Sequence, residues 1–113
     1  MSAYVVGLVE VSNWEAYREY MRHTPRLIEQ FGGRFIARGG EMVTLEGEAN
    51  GQRMVVIEFP SLERARAFYH SPEYGKARRL REGAGALRLL AIDGYPDAAW
   101  QEAVRESRRW TLE

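Results

Sequence analysis

The chain reads as an α+β protein with the ferredoxin-like split βαβ order, β-α-β-β-α-β, its helices on one face of an antiparallel sheet. Three observations predict this. Residues 53–74 run from an apolar stretch, Met54 to Phe59, through the stop at Pro60 into a helix capped by Ser61, and then into a second helix start at Ser71-Pro72-Glu73. Residues 3–11 are apolar at both strand parities, with Val5, Val9 and Val11 on one side and Tyr4, Val6 and Leu8 on the other. Glycine pairs and an Asn-Gly step then punctuate the chain where a sheet protein needs turns.

The first strand covers 3–11. Asn13 suits a helix N-cap, and Trp14, Tyr17, Met21, Ile28 and Phe31 recur at helical spacing behind it. Pro25 falls inside that pattern and removes one backbone donor, so a bend or restart is expected near residues 22–24. Gly32-Gly33 ends the helix. Residues 34–38 resume as strand, Gly39-Gly40 suggests a bulge or sharp bend, and Asn50-Gly51 is a tight-turn signal. Residues 41–48 are therefore expected to fold back on 52–59 as a hairpin. Helical segments at 61–70 and 72–82 lead to a last strand at 87–92. The first strand and 53–59 should occupy the middle of the sheet.

The bulk numbers bound the function. With 113 residues there is room for one core, and 16 basic against 16 acidic side chains leave no global field for nucleic acid or anionic lipid. No cysteine is present, which excludes disulfides, thiolate metal sites and a cysteine nucleophile and fits a cytoplasmic protein. The N-terminal ten residues carry no positive leader and only a short apolar run, so neither signal peptide nor membrane span is expected. Helices on one face cannot cover strands that are apolar on both. A homodimer that buries the second face follows from that mismatch.

Several segments together resemble a known family: Ala3-Tyr4-Val5-Val6, Gly32 to Gly40, Glu58-Phe59-Pro60-Ser61, and Tyr69-His70-Ser71-Pro72-Glu73-Tyr74. They are similar to an uncharacterised domain-of-unknown-function family, DUF 1330, of the dimeric α/β-barrel superfamily. The resemblance implies that residues 1–94 form a ferredoxin-like domain and that two subunits pair their sheets into a barrel. It implies no reaction, since the superfamily spans cofactor-independent monooxygenases, lactone isomerases, haem enzymes and stress-response barrels. Residues 95–113 fall outside it. There Trp100, Val104 and Trp110 on a polar background suggest an amphipathic helix or arm that docks on the dimer.

No residue declares itself catalytic. His23, just before Pro25, reads either as a general base in a cleft or as a surface histidine. His70, beside Tyr69, has a sufficient structural reason in the helix C-terminal dipole. Two histidines in separate elements do not make a metal site, and no cofactor is expected. Arg34 and Arg38 share strand parity, with Glu58 on the neighbouring strand; they read as the polar end of a pocket for a carbonyl or carboxylate ligand, as a structural Arg–Glu pair, or as an edge where the charges reach water. Trp14, Tyr17, Tyr20, Phe68, Tyr69 and Tyr74 read first as core and second as pocket lining for a flat ligand. Lys76, Arg78, Arg79 and Arg81 read as a solvated helix face. The ligand candidates are thus His23, Arg38, Glu58, Tyr69 and His70. The functional expectation is a cofactor-independent enzyme or binder of a small carbonyl or aromatic compound held between sheet and helices. The competing class is a structural or stress-related homodimer without ligand, whose cleft would be filled by aromatic side chains.

Overall fold

A computed structural model describes residues 2–112. Strand β1 (Ala3–Val11) is followed by helix α1 (Trp14–Gln30), strands β2 (Arg34–Arg38) and β3 (Arg53–Phe59), helices α2 (Leu62–Tyr69) and α3 (Pro72–Arg79), strand β4 (Gly85–Asp93) and helix α4 (Asp97–Ser107). The sheet order is β2-β3-β1-β4 with every pairing antiparallel, so β1 and β3 lie in the middle as expected.

The caps read from the sequence are in place. Asn13, Ser61 and Ser71 each accept from the backbone N–H three residues on. On the helix side of the sheet, Val5, Val9, Ile57 and Phe59 meet Tyr17, Leu27, Ile28, Phe68 and Tyr74, and all of these are buried. On the other side, Tyr4, Val6, Leu8, Met54 and Val56 are only half-buried, and Leu90 and Ile92 are 47% and 62% exposed. The single chain leaves that apolar face open.

Two expectations are corrected. Pro25 does not interrupt α1, which runs unbroken from Trp14 to Gln30. Residues 41–48 form no strand: the hairpin partner of β3 is β2, and the connection between them is an exposed loop. Glycine at 39, 40, 47 and 51 gives that loop too little side chain to hold a ladder alone. Of the bulge or bend expected at Gly39-Gly40, the bend is there, with Gly39 at φ 66°, and a separate bulge lies at Ile36, where the register shifts between Phe35 and Ala37. Helix α4 forms where an amphipathic helix was expected; within the single chain it buries no residue, and Trp100 and, beyond its end, Trp110 are 60% and 77% exposed. Asp97 is its first residue, and Pro96 holds the cap position without a side-chain hydrogen bond.

Candidate functional site

Between the sheet and helices α1 to α3 lies a cleft of about 410 Å3, the size of a small-molecule pocket. Val5, Val55, Ile57, Phe68, Leu87 and Leu89 give it apolar walls. Its polar groups come from every layer: Tyr17, Tyr20 and Thr24 from α1, Arg38 from β2, Arg53 from β3, Tyr69 from α2, Tyr74 from α3, and Arg81 from the turn after α3.

Arg38 reaches the cleft through two local irregularities. In an unbroken strand it would share a face with Arg34, as its parity suggests. The extra residue at Ile36 reverses the alternation, so Ala37 stands opposite Val56 on the open face and Arg38 opposite Val55 on the helix face. The guanidinium then finds an acceptor that exists because of Pro25. A proline has no N–H to give the carbonyl four residues back, which is Met21. Arg38 Nη2 donates to that oxygen at 2.9 Å, and the Thr24 hydroxyl donates to it at 3.2 Å. Arg38 also stacks over Phe35, 4.3 Å from the ring centroid.

A tyrosine cluster forms the opposite wall. The Tyr20 and Tyr74 hydroxyls share a hydrogen bond of 2.7 Å, and the Tyr17 ring packs 5.3 Å from that of Tyr20. Burial pushes the Tyr20 phenol well above its ordinary range, with the neighbouring Tyr74 adding to the effect, so it stays protonated. Burial also raises the Tyr17 phenol, against the pull of Arg53, Arg81 and Arg38, which lie within electrostatic reach of it. Arg81 lies 5.2 Å from the Tyr20 ring centroid and buries its Nε without a hydrogen-bond partner.

Of the residues picked from sequence, Arg38, Tyr69 and His70 line the cleft. Tyr69 accepts from Arg78 Nη1 at 2.7 Å, and the exposed His70 ring stands edge-on to Tyr69 at the mouth. His23 and Glu58 do not line it. His23 belongs to a surface network in which its Nδ1 accepts from Arg26 at 2.8 Å and its Nε2 meets Glu19 at 3.2 Å. Glu58 sits on the opposite sheet face and pairs with Arg34 at 3.1 Å, not with Arg38. Arg81 is half-buried against tyrosine and is not part of a solvated helix face. Tyr17, Tyr20 and Tyr74 take up the pocket-lining alternative offered for the aromatic positions, whereas Thr24 and Arg53 joined the site unannounced. The only signal for the tyrosines was the run of hydroxyl-bearing rings on positions otherwise read as core.

No helix among the described residues is long and apolar enough to cross a membrane, and no group of three or more His, Cys, Asp or Glu among them could hold a metal ion. Similarity to solved structures is broad but low in identity. A protein of unknown function from Rhodopseudomonas palustris is 22% identical, with a TM-score of 0.68 over 84% of this chain and 83% of that one. A dimeric ferredoxin-like protein of unknown function from Jannaschia sp. is 13% identical, with a TM-score of 0.64 over 83% of this chain and all of that one (100%). A candidate antibiotic biosynthesis monooxygenase from Nitrosomonas europaea is 17% identical, with a TM-score of 0.54 over 85% and 100%. At these identities the likeness establishes the fold alone. No curated protein matches the sequence. The family model described as Domain of unknown function (DUF1330) matches residues 2–95, spanning all four strands and the helices that enclose the cleft, and the chain belongs to that family.

Proposed function

We propose that the chain acts as a homodimer in which each subunit holds a small carbonyl-bearing or aromatic compound in the cleft between sheet and helices. The cleft carries this reading: it is open space with apolar walls into which tyrosine hydroxyls and arginine N–H groups converge. A purely structural dimer has no use for such a space, and its aromatic side chains would fill it. Within the Tyr20–Tyr74 pair one hydroxyl donates to the other, which leaves one O–H to donate to a carbonyl oxygen, and a positioned donor of that kind favours charge developing on the oxygen. Chemistry next to a carbonyl, without a cofactor, is the reaction type these groups support. Arg38, Tyr69 and His70 are the ligand contacts proposed from the original set.

The dimer rests on the open sheet face, whose centre is Val6 opposite Val56 and Leu90. The Jannaschia protein of the same fold is itself dimeric. Pairing two such faces removes the apolar surface from water. A cytoplasmic setting belongs to the same proposal, since a chain without cysteine suits a reducing compartment.

Native mass spectrometry of protein purified from its own host tests the ligand. A retained small mass, lost when Tyr20→Phe and Arg38→Met are combined, is the expected result. Ligand-free protein from every preparation, with no thermal shift from any of a panel of carbonyl compounds, would leave the structural dimer as the better account.

A further inference from the structure

The charge of the cleft is one-sided. Arg38, Arg53 and Arg81 line it together with the more exposed Arg66, and no aspartate or glutamate does. Among the described residues none of these arginines takes part in an ion pair. Arg38 is held by the neutral Met21 carbonyl and the Thr24 hydroxyl, at 2.9 and 3.5 Å. Arg53 rests against Gly39, where an added Cβ would stand 2.5 Å from its Nε. Arg81 leaves its buried Nε without an acceptor. Arg38, Arg53 and Arg81 come from different parts of the fold and are each half-buried.

Gathering cations in partly desolvated space without counter-charge is unfavourable. Arg38 feels it, being held below the usual arginine range by burial and by Arg53. A surface cluster would simply point its charges into water, but these guanidiniums border an apolar chamber beside tyrosine rings. The Tyr74 and Tyr20 hydroxyls already favour the Arg81 cation, yet its Nε keeps no acceptor, and an anion entering the chamber relieves the repulsion that Arg38 feels.

Building on the cleft reading above, we infer that the ligand is an organic carboxylate: its anionic head meets Arg38, Arg53 and Arg81, and its apolar body lies against Phe68, Leu87 and Leu89. An inorganic anion would satisfy the arginines and leave the apolar walls wet. A neutral aromatic would do the reverse. Only a molecule with both parts matches the whole lining.

Isothermal titration of the full chain tests this with 2-naphthoate and hexanoate against their primary amides, which keep the shape and remove the charge. Each acid is expected to bind about tenfold or more tightly than its amide. That margin should shrink as salt rises from about 50 to about 500 mM. Arg53→Gln, at a half-buried strand end, and Arg81→Met should each cut acid affinity while leaving the amide nearly unchanged. The first variant keeps the test usable if the second fails to fold. Equal binding of acid and amide would overturn the carboxylate inference and leave the cleft as a site for neutral ligands. An acid preference untouched by both variants would overturn the arginine assignment. Binding of neither acid nor amide would remove the cleft reading as well.

Discussion

Pro25 and Arg38 form a matched pair: one frees the Met21 carbonyl and the other occupies it. Proline inside a helix is costly, about 3 kcal/mol relative to alanine, and here part of that cost is offset by an acceptor inside the protein. Pro25→Ala should stabilise the fold, and in that background Arg38→Met should cost less than it does alone. Chemical denaturation of the two single variants and the double is expected to give a coupling of about 0.5–1 kcal/mol; strictly additive effects would remove the pairing. The tyrosines predict a pH dependence of definite sign. Because burial raises Tyr20 and Tyr17, the folded state keeps protons that unfolded tyrosine surrenders near pH ~10. Their stabilising effect is therefore whole below that pH and is lost as pH climbs above it. Thermal melts through the alkaline range should fall more steeply for the natural chain than for Tyr20→Phe. By contrast, Glu58→Gln should change stability by less than about 1 kcal/mol, because its partner Arg34 is 73% exposed and solvent screens the pair.

Among the elements, β2 and the α2–α3 junction do most to shape the cleft. β2 is only five residues long, yet its bulge decides which face receives Arg38. At the junction, Ser71 is buried and works in both directions, accepting from the Tyr74 N–H at 3.2 Å and donating to the Phe68 carbonyl at 2.8 Å. It thereby fixes where Tyr74 begins its helix and so where the Tyr74 hydroxyl meets Tyr20. Ser71→Ala should cost about 1–2 kcal/mol, since it removes a cap and strands buried backbone groups. Ser61→Ala, whose single cap bond is solvent-exposed, should cost no more than about 1 kcal/mol. Denaturant midpoints for the two variants give the comparison, and equal losses would mean that burial at Ser71 adds nothing.

At the scale of the molecule, the single chain is more extended than a globule of its length. Its radius of gyration is 17.2 Å, against about 13 Å for a compact chain of this size. The exposed 39–52 loop and the segment from α4 onward carry apolar side chains outward: Val43 is 72% exposed, Leu45 94%, Trp100 60% and Trp110 77%. Together with the open sheet face they make a surface suited to a second subunit. Light scattering should give a dimer at micromolar concentration, and Val56→Glu, at the centre of that face, should give a folded monomer. Hydrogen exchange should protect amides 99–107 in the natural dimer and release them in the variant. Equal, fast exchange in both would mean that α4 stands free of the partner.

The residue pattern by itself determined the element order, the central strands, the serine and asparagine caps and the apolar character of both sheet faces. Each of these depends on neighbours within a few positions or on a parity running along one strand. Tertiary structure alone decided the rest. Parity predicted Arg38 beside Glu58, and one inserted residue at Ile36 reversed it, because strand faces alternate with a period of two and a single shift exchanges them. Helical spacing predicted tyrosines in a core without saying that their hydroxyls would converge at one edge of it. The same spacing put Arg81 in a solvated cluster, and the turn after α3 swung it under Tyr20. A binding cleft is an arrangement of side chains brought from separate elements, and no local pattern encodes the distances between them.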